Sequence, residues 1–256
     1  MATTESLQPT RTAAPAILRA VEVLDAMARK RGPMTVSEVA RATGLAKSSV
    51  SNLMSTLAVA GMVRPAGHGW LLGYRVLELG QSALASTDLV SEFHRLTLRN
   101  PVLREETVLI AVLDGLDVLY LARHNGNQPV RLATDIGHRL PAVVTSLGKA
   151  MLAGLPDDDL DARLAGVDHM PQLTPRSYRT LSELRADLAQ VRRRGYAVDD
   201  EQNTRGITCY GVAIPGYRQP TAVSTTLLTS RVTPELHDRL IGSLQTLSRQ
   251  LAGSPG

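Results

Sequence analysis

The 256-residue chain has one cysteine, Cys209, so it forms no internal disulfide and no multi-cysteine metal site, as suits a reducing cytoplasm. No run reaches the roughly 18 apolar residues a membrane helix needs. The opening residues, MATTESLQPTRTAAP, also lack the apolar core of a signal peptide. A protein neither exported nor embedded is expected. The six histidines (His68, His94, His124, His138, His169 and His237) fall at no metal-ligand spacing, and no serine sits in a nucleophile-elbow motif. No metal, cofactor or hydrolase chemistry is therefore expected.

What is present is a soluble composition, 43% hydrophobic and 20% charged, long enough for two cores. Its net charge of +4 is unevenly spread: residues 1–80 hold nine Lys/Arg against five acids, and the remainder holds 19 of each sign. A basic N-terminal third points to nucleic acid, although four charges also suit an ordinary solvated surface.

Residues 1–14 lack periodicity and are expected to form a disordered tail. Ile17, Val21, Leu24 and Ala28 then draw an apolar stripe on a first helix ending near Arg31-Gly32-Pro33. Thr35-Val-Ser-Glu38 is a capping box that starts a second helix, which must stop at Thr43-Gly44. A third helix is expected from about Ala46 to Ala60, with Val50, Leu53, Met54 and Leu57 inward. Ser48, Ser49, Asn52, Ser55 and Thr56 lie on its other face, after Lys47. Short strands at 62–65 and 70–73 surround the glycine turn 66–69. Three helices and a hairpin make a winged helix-turn-helix over 15–73, whose third helix enters the major groove while the wing touches phosphates.

A mostly helical linker is expected over 74–100, able to bridge two domains and to pack on a second copy, with Asn100-Pro101 ending it. Strands at 107–113, 118–122, 196–199, 207–214 and 221–228, with helices at 147–155 and 181–194, predict an α+β domain over 101–252 built on an antiparallel sheet.

The segments GLAKSSVSNLMSTLAVAGMV, LLGYRVLELG, RLPAVVTSLGKAMLAGLP and RRRGYAVDDEQNTRGITCYGVAIP, in this order, resemble the IclR family of bacterial transcriptional regulators. The likeness runs from Ile17 to about Leu251. It implies a winged helix-turn-helix, a dimerising linker helix and a GAF-like domain that binds a small organic acid. It further implies a homodimer or homotetramer, a repressor among other regulators, on a palindromic double-stranded operator. The chain departs from the family pattern with Ser51-Asn52 in the recognition helix and Gly211-Val212-Ala213 after the cysteine.

For DNA, the residues singled out are Lys47, Ser48, Ser49 and Asn52 on the helix, with Arg64 and His68 on the wing. Lysine and arginine neutralise phosphates, and Asn52 is the type of side chain that reads adenine bidentately. The alternative is a polar face without a partner. For the effector, a helix starting at Thr145-Ser146 points free backbone N–H groups at a carboxylate, or is simply an ordinary N-cap. The resemblance makes Ser146, Leu147, Asp199, Cys209, Ser224 and Thr226 ligand-facing, with Asp200 replacing Asp199 if the register slips; Lys149 supports the fold. The plain readings are a turn-capping Asp199 and a core-filling Cys209. The competing function is a cysteine-based redox sensor or enzyme using Cys209, which needs a low thiol pKa that a neighbouring Asp199 opposes. Arg192-Arg193-Arg194 reads as the basic last turn of a helix.

Overall fold

The computed structural model describes residues 14–30, 32–85, 88–127 and 135–253. It divides into two compact units between Leu84 and Ala85. The tail expected over 1–14 lies outside the described residues up to residue 13.

The first unit runs α1 (Pro15–Arg29), α2 (Val36–Thr43), α3 (Lys47–Val59), β1 (Val63–Ala66), β2 (Gly69–Leu72) and α4 (Tyr74–Ala85). Thr35 caps α2 by accepting from the Glu38 amide at 3.3 Å, and the Glu38 carboxylate accepts from the Thr35 amide at 2.8 Å. Gly44, at φ +71°, ends that helix in a left-handed turn that a side chain would strain. Val23, Met27, Val39, Val50, Met54 and Val63 fill the core. The hairpin β1–β2 is tied to the segment before α2 by a bridge between Met34 and Trp70.

The face of α1 differs from the expected stripe. Ile17 is 65% and Val21 48% exposed, and Ala28 is exposed, so of the expected stripe Leu24 alone packs partly on the core, beside the buried Val23, Ala26 and Met27. Both stripes repeat at helical spacing, so periodicity establishes the helix without fixing which side meets the core.

The second unit begins with α5 (Leu89–Arg99), so the described residues of 74–100 form two helices rather than one; Ser86 and Thr87 lie outside the described residues. It continues with β3 (Thr107–Asp114), β4 (Asp117–His124), β5 (Arg139–Pro141), α6 (Ser146–Ala153), α7 (Asp157–Leu164) and α8 (Leu181–Arg194). β6 (Ala197–Asp200), β7 (Ile207–Ile214), β8 (Thr221–Leu228) and α9 (Pro234–Ala252) complete it. The strands form one antiparallel sheet in the order β5-β4-β3-β8-β7-β6. β5, α7 and α9 go beyond the elements read from the sequence.

Both sheet faces are covered. Along β3, Leu109, Ala111 and Leu113 turn to a core with α6, α7 and α8, while Val108 and Ile110 turn to a core with α5 and α9. Burial on both sides explains why Thr107-Val-Leu-Ile-Ala-Val-Leu113 reads as an unbroken apolar run. The architecture is a helical winged helix-turn-helix unit and an α+β unit on an antiparallel sheet, consistent with a GAF-like fold.

Candidate functional site

The outward face of α3 begins at its N-terminus. Ala46 precedes the helix and supplies no side-chain cap, so its first-turn amides have no side-chain acceptor from that position. Lys47, Ser48 and Asn52 are exposed and Ser49 is half-buried. Ser48 and Asn52 are four residues apart and therefore share one face. Ser55 and Thr56 are exposed too, but their hydroxyls donate to the carbonyls of Ser51 (3.0 Å) and Asn52 (3.1 Å) of their own helix. The helix carries no acidic residue, so nothing on it repels a phosphate.

On the wing, His68 is exposed in the turn. Arg64 is half-buried, with its guanidinium 5.0 Å from the centre of the Tyr74 ring. Its charge is thus stacked against the start of α4 rather than extended like that of Lys47.

In the second unit, sheet register assembles the other candidates. Thr107, Thr226, Cys209 and Asp199 pair in sequence across β3, β8, β7 and β6, and the next row holds Leu109, Ser224, Gly211 and Ala197. Directly paired residues project to one face, so Asp199, Cys209, Ser224 and Thr226 all look toward α6. There Ser146 and Leu147 begin the helix. A Cβ on Gly211 would lie 2.4 Å from the Ser146 carbonyl oxygen, so glycine at this point lets α6 sit directly on the sheet. The six anticipated residues thus line one enclosed cavity, together with Leu109, Tyr120, Thr145 and Asn203.

The cavity has about 10 Å³ for a water-sized sphere, room for about one water. Thr145 caps α6 by accepting from the Gly148 amide at 3.0 Å; the amides of Ser146 and Leu147 are first-turn donors with no acceptor inside the helix. Opposite them Asp199, 1% exposed, accepts from the amides of Gln202 (2.8 Å) and Asn203 (3.1 Å). Burial pushes its pKa up to about 6, against the pull of the Asn203 amide, the Lys149 charge and the Gln202 amide. The cavity is therefore lined by both the first residues of α6 and a buried carboxylate.

Cys209 is buried, 3.3 Å from the Thr226 hydroxyl, and burial followed by the Asp199 charge pushes its thiol well above the usual range. Such a thiol is a poor nucleophile. Asp200, the alternative to Asp199, points away from the cavity and pairs with Arg176 at 2.5 Å. Of the wall residues absent from the sequence reading, Leu109 and Tyr120 belong to strands read from the sequence as apolar runs, in which no alternation marks the cavity side. Asn203 is in a loop and belongs to no such run. A larger cleft of about 570 Å³ between the ends of α5 and α9 holds none of the anticipated residues. It is lined by the last turns of two helices and carries Arg95, Arg99 and Arg249.

Comparison with known proteins agrees with both halves. The family described as "IclR helix-turn-helix domain" matches residues 16–67, and "Bacterial transcriptional regulator IclR C-terminal" matches residues 81–252. The transcriptional repressor IclR of Escherichia coli is 31% identical over 229 residues, covering 86% of this chain and 82% of its own. The acetate operon repressor of Salmonella typhimurium is 30% identical, covering 89% of this chain and 87% of its own. The crystal structure of a transcriptional regulator from Rhodococcus sp. RHA1 superposes with a TM-score of 0.80 at 32% identity, covering 93% of this chain and 96% of that one. With a matched DNA-binding unit and a matched C-terminal unit, the chain belongs to the IclR family of bacterial transcriptional regulators.

Proposed function

We propose that this DNA-binding transcriptional regulator reads a palindromic operator as a homodimer or homotetramer in the cytoplasm and is controlled by a small organic acid. Its parts are the tail 1–14, the DNA-binding domain 15–73, the linker 74–100 and the effector domain 101–252. Lys47, Ser48, Ser49 and Asn52 meet the major groove, Asn52 as base reader and Lys47 on a phosphate, with Arg64 and His68 beside them on the wing. Exposed apolar side chains on α1 (Ile17, Leu18) and α4 (Leu77) support association with a second copy. Among the described residues no helix is long and apolar enough to cross a membrane.

The observation that carries the effector reading is the convergence of Ser146, Leu147, Asp199, Cys209, Ser224 and Thr226 on one cavity. A ligand carboxylate suits the first amides of α6, and Asp199 accepts from a ligand hydroxyl or amine. Since the space admits about one water, binding requires the walls to part. A tenfold change in DNA affinity then needs about 1.4 kcal/mol of coupling. The burial and raised pKa of Cys209 argue against the redox reading.

A mobility-shift assay with a promoter-derived palindrome, with and without small organic acids, tests this. A specific, acid-sensitive shift is expected, and no specific shift under any condition rejects the reading.

A further inference from the structure

Of the residues lining the cavity, Asn203 is the one that is not buried, and it alone stands outside the strands and the capped start of α6. The segment 200–206 that carries it is therefore the outer wall. What holds that wall lies behind it.

Lys149, on α6, is 0% exposed. Its Nζ donates to the Val198 carbonyl and to Gln202 Oε1 (2.5 Å), pairs with Asp187 at 3.0 Å, and lies 3.4 Å from the Tyr178 hydroxyl. Val198 and Gln202 flank Asp199 in the chain, and the Gln202 amide donates to the Asp199 carboxylate. One ammonium thus grips the backbone just before Asp199 and the side chain of a residue that Asp199 itself binds. The Gln202 carbonyl is further held by the Ser177 hydroxyl at 2.7 Å. Between the two grips, Glu201 takes a left-handed φ of +58°, which a non-glycine residue keeps only when its surroundings enforce it.

A buried ammonium is costly in the interior, and an apolar side chain of similar volume packs at lower cost. What the ammonium adds is several donors at one fixed point, joining α6, α8, β6 and the 200–206 segment. All of these donors face protein acceptors, so Lys149 is not the counter-ion of a ligand carboxylate.

We propose that Lys149 is a positioning residue of the effector site, which aims Asp199 into the cavity and holds segment 200–206 closed over it. The word effector rests on the function proposed above; the closure does not. The test is hydrogen exchange on the full-length, ligand-free protein, comparing Lys149→Met and Gln202→Met with wild type. Exchange in 200–206 is expected to rise at least about tenfold, as for loss of one buried charge-assisted hydrogen bond. Protection of 207–214 and 221–228 should stay unchanged, and trypsin cleavage after the exposed Arg205 should accelerate in parallel. Exchange that rises evenly over α6, β7 and β8, or stays unaltered in 200–206, overturns the proposal. If Lys149→Met does not fold, Gln202→Met decides by the same criterion. Separately, wild-type protein that shows no thermal shift with glycolate, lactate or malate speaks against the effector reading and leaves the exchange comparison intact.

Discussion

The two units present chemistry in opposite ways. On α3, Lys47, Ser48 and Asn52 come from six consecutive residues and are displayed to solvent, so the helix needs little beyond its own periodicity to arrange them. In the C-terminal unit, Ser146, Asp199, Cys209, Ser224 and Thr226 come from one helix and three strands and are shut away from solvent. A solvated face tolerates substitution with little cost to the fold, whereas an enclosed cavity makes each wall residue part of the core. Sensitivity to substitution should therefore separate the two units: folding changes in one, DNA recognition changes in the other.

The largest expected effect breaks the cavity. Gly211→Val places a side chain against the Ser146 backbone and should cost about 3 kcal/mol or more, read as a lowered Tm. An unchanged Tm would mean that α6 shifts freely off the sheet. Next is the acid-base behaviour of Asp199, whose buried carboxyl keeps its proton up to about pH 6. The folded state binds that proton more tightly than the unfolded chain, so its stabilising contribution is full below about pH 4 and is lost as pH rises through about 6. Relative to Asp199→Asn, wild type should lose up to about 3 kcal/mol across this window. Parallel pH–stability curves for the two proteins would contradict the burial argument.

Asn52→Ala sharpens the contrast from the other side. It should leave Tm nearly unchanged while removing about 1–3 kcal/mol of discrimination between the operator and a version altered at the contacted base. Equal weakening on all sequences would reduce Asn52 to a backbone contact. The smallest effect belongs to Lys47→Ala, which should weaken binding evenly and lower the slope of log affinity against log salt by about 1.

Much of the N-terminal unit was legible because its signals are local. The Thr35–Glu38 capping box, the stop at Gly44 and the hairpin around Gly67 each lie within a few residues and recur in the structure. Periodicity misled only where it had two answers, on α1. In the C-terminal unit the strands of the sheet core are visible in the sequence, whereas α9, which Thr233 caps, Pro234 opens and Leu240, Leu244, Leu247 and Leu251 bury on one face, is not among the elements read from it. The cavity residues came from family likeness, because no local pattern says that Cys209 lies across from Thr226. The sequence shows Lys149 only as support for the fold, because its acceptors lie 29 to 53 residues away in the chain.

By itself, the sequence determined most of the helices and strands, and which side of α3 displays Lys47, Ser48 and Asn52. These follow from short-range sterics, caps and apolar spacing. Tertiary structure decided which face of α1 meets the core, that strand register sets Asp199, Cys209 and Thr226 in one row, and that one buried ammonium ties that row to α6. Register and charge burial depend on partners far apart in the chain, and those partners meet only when the sheet closes.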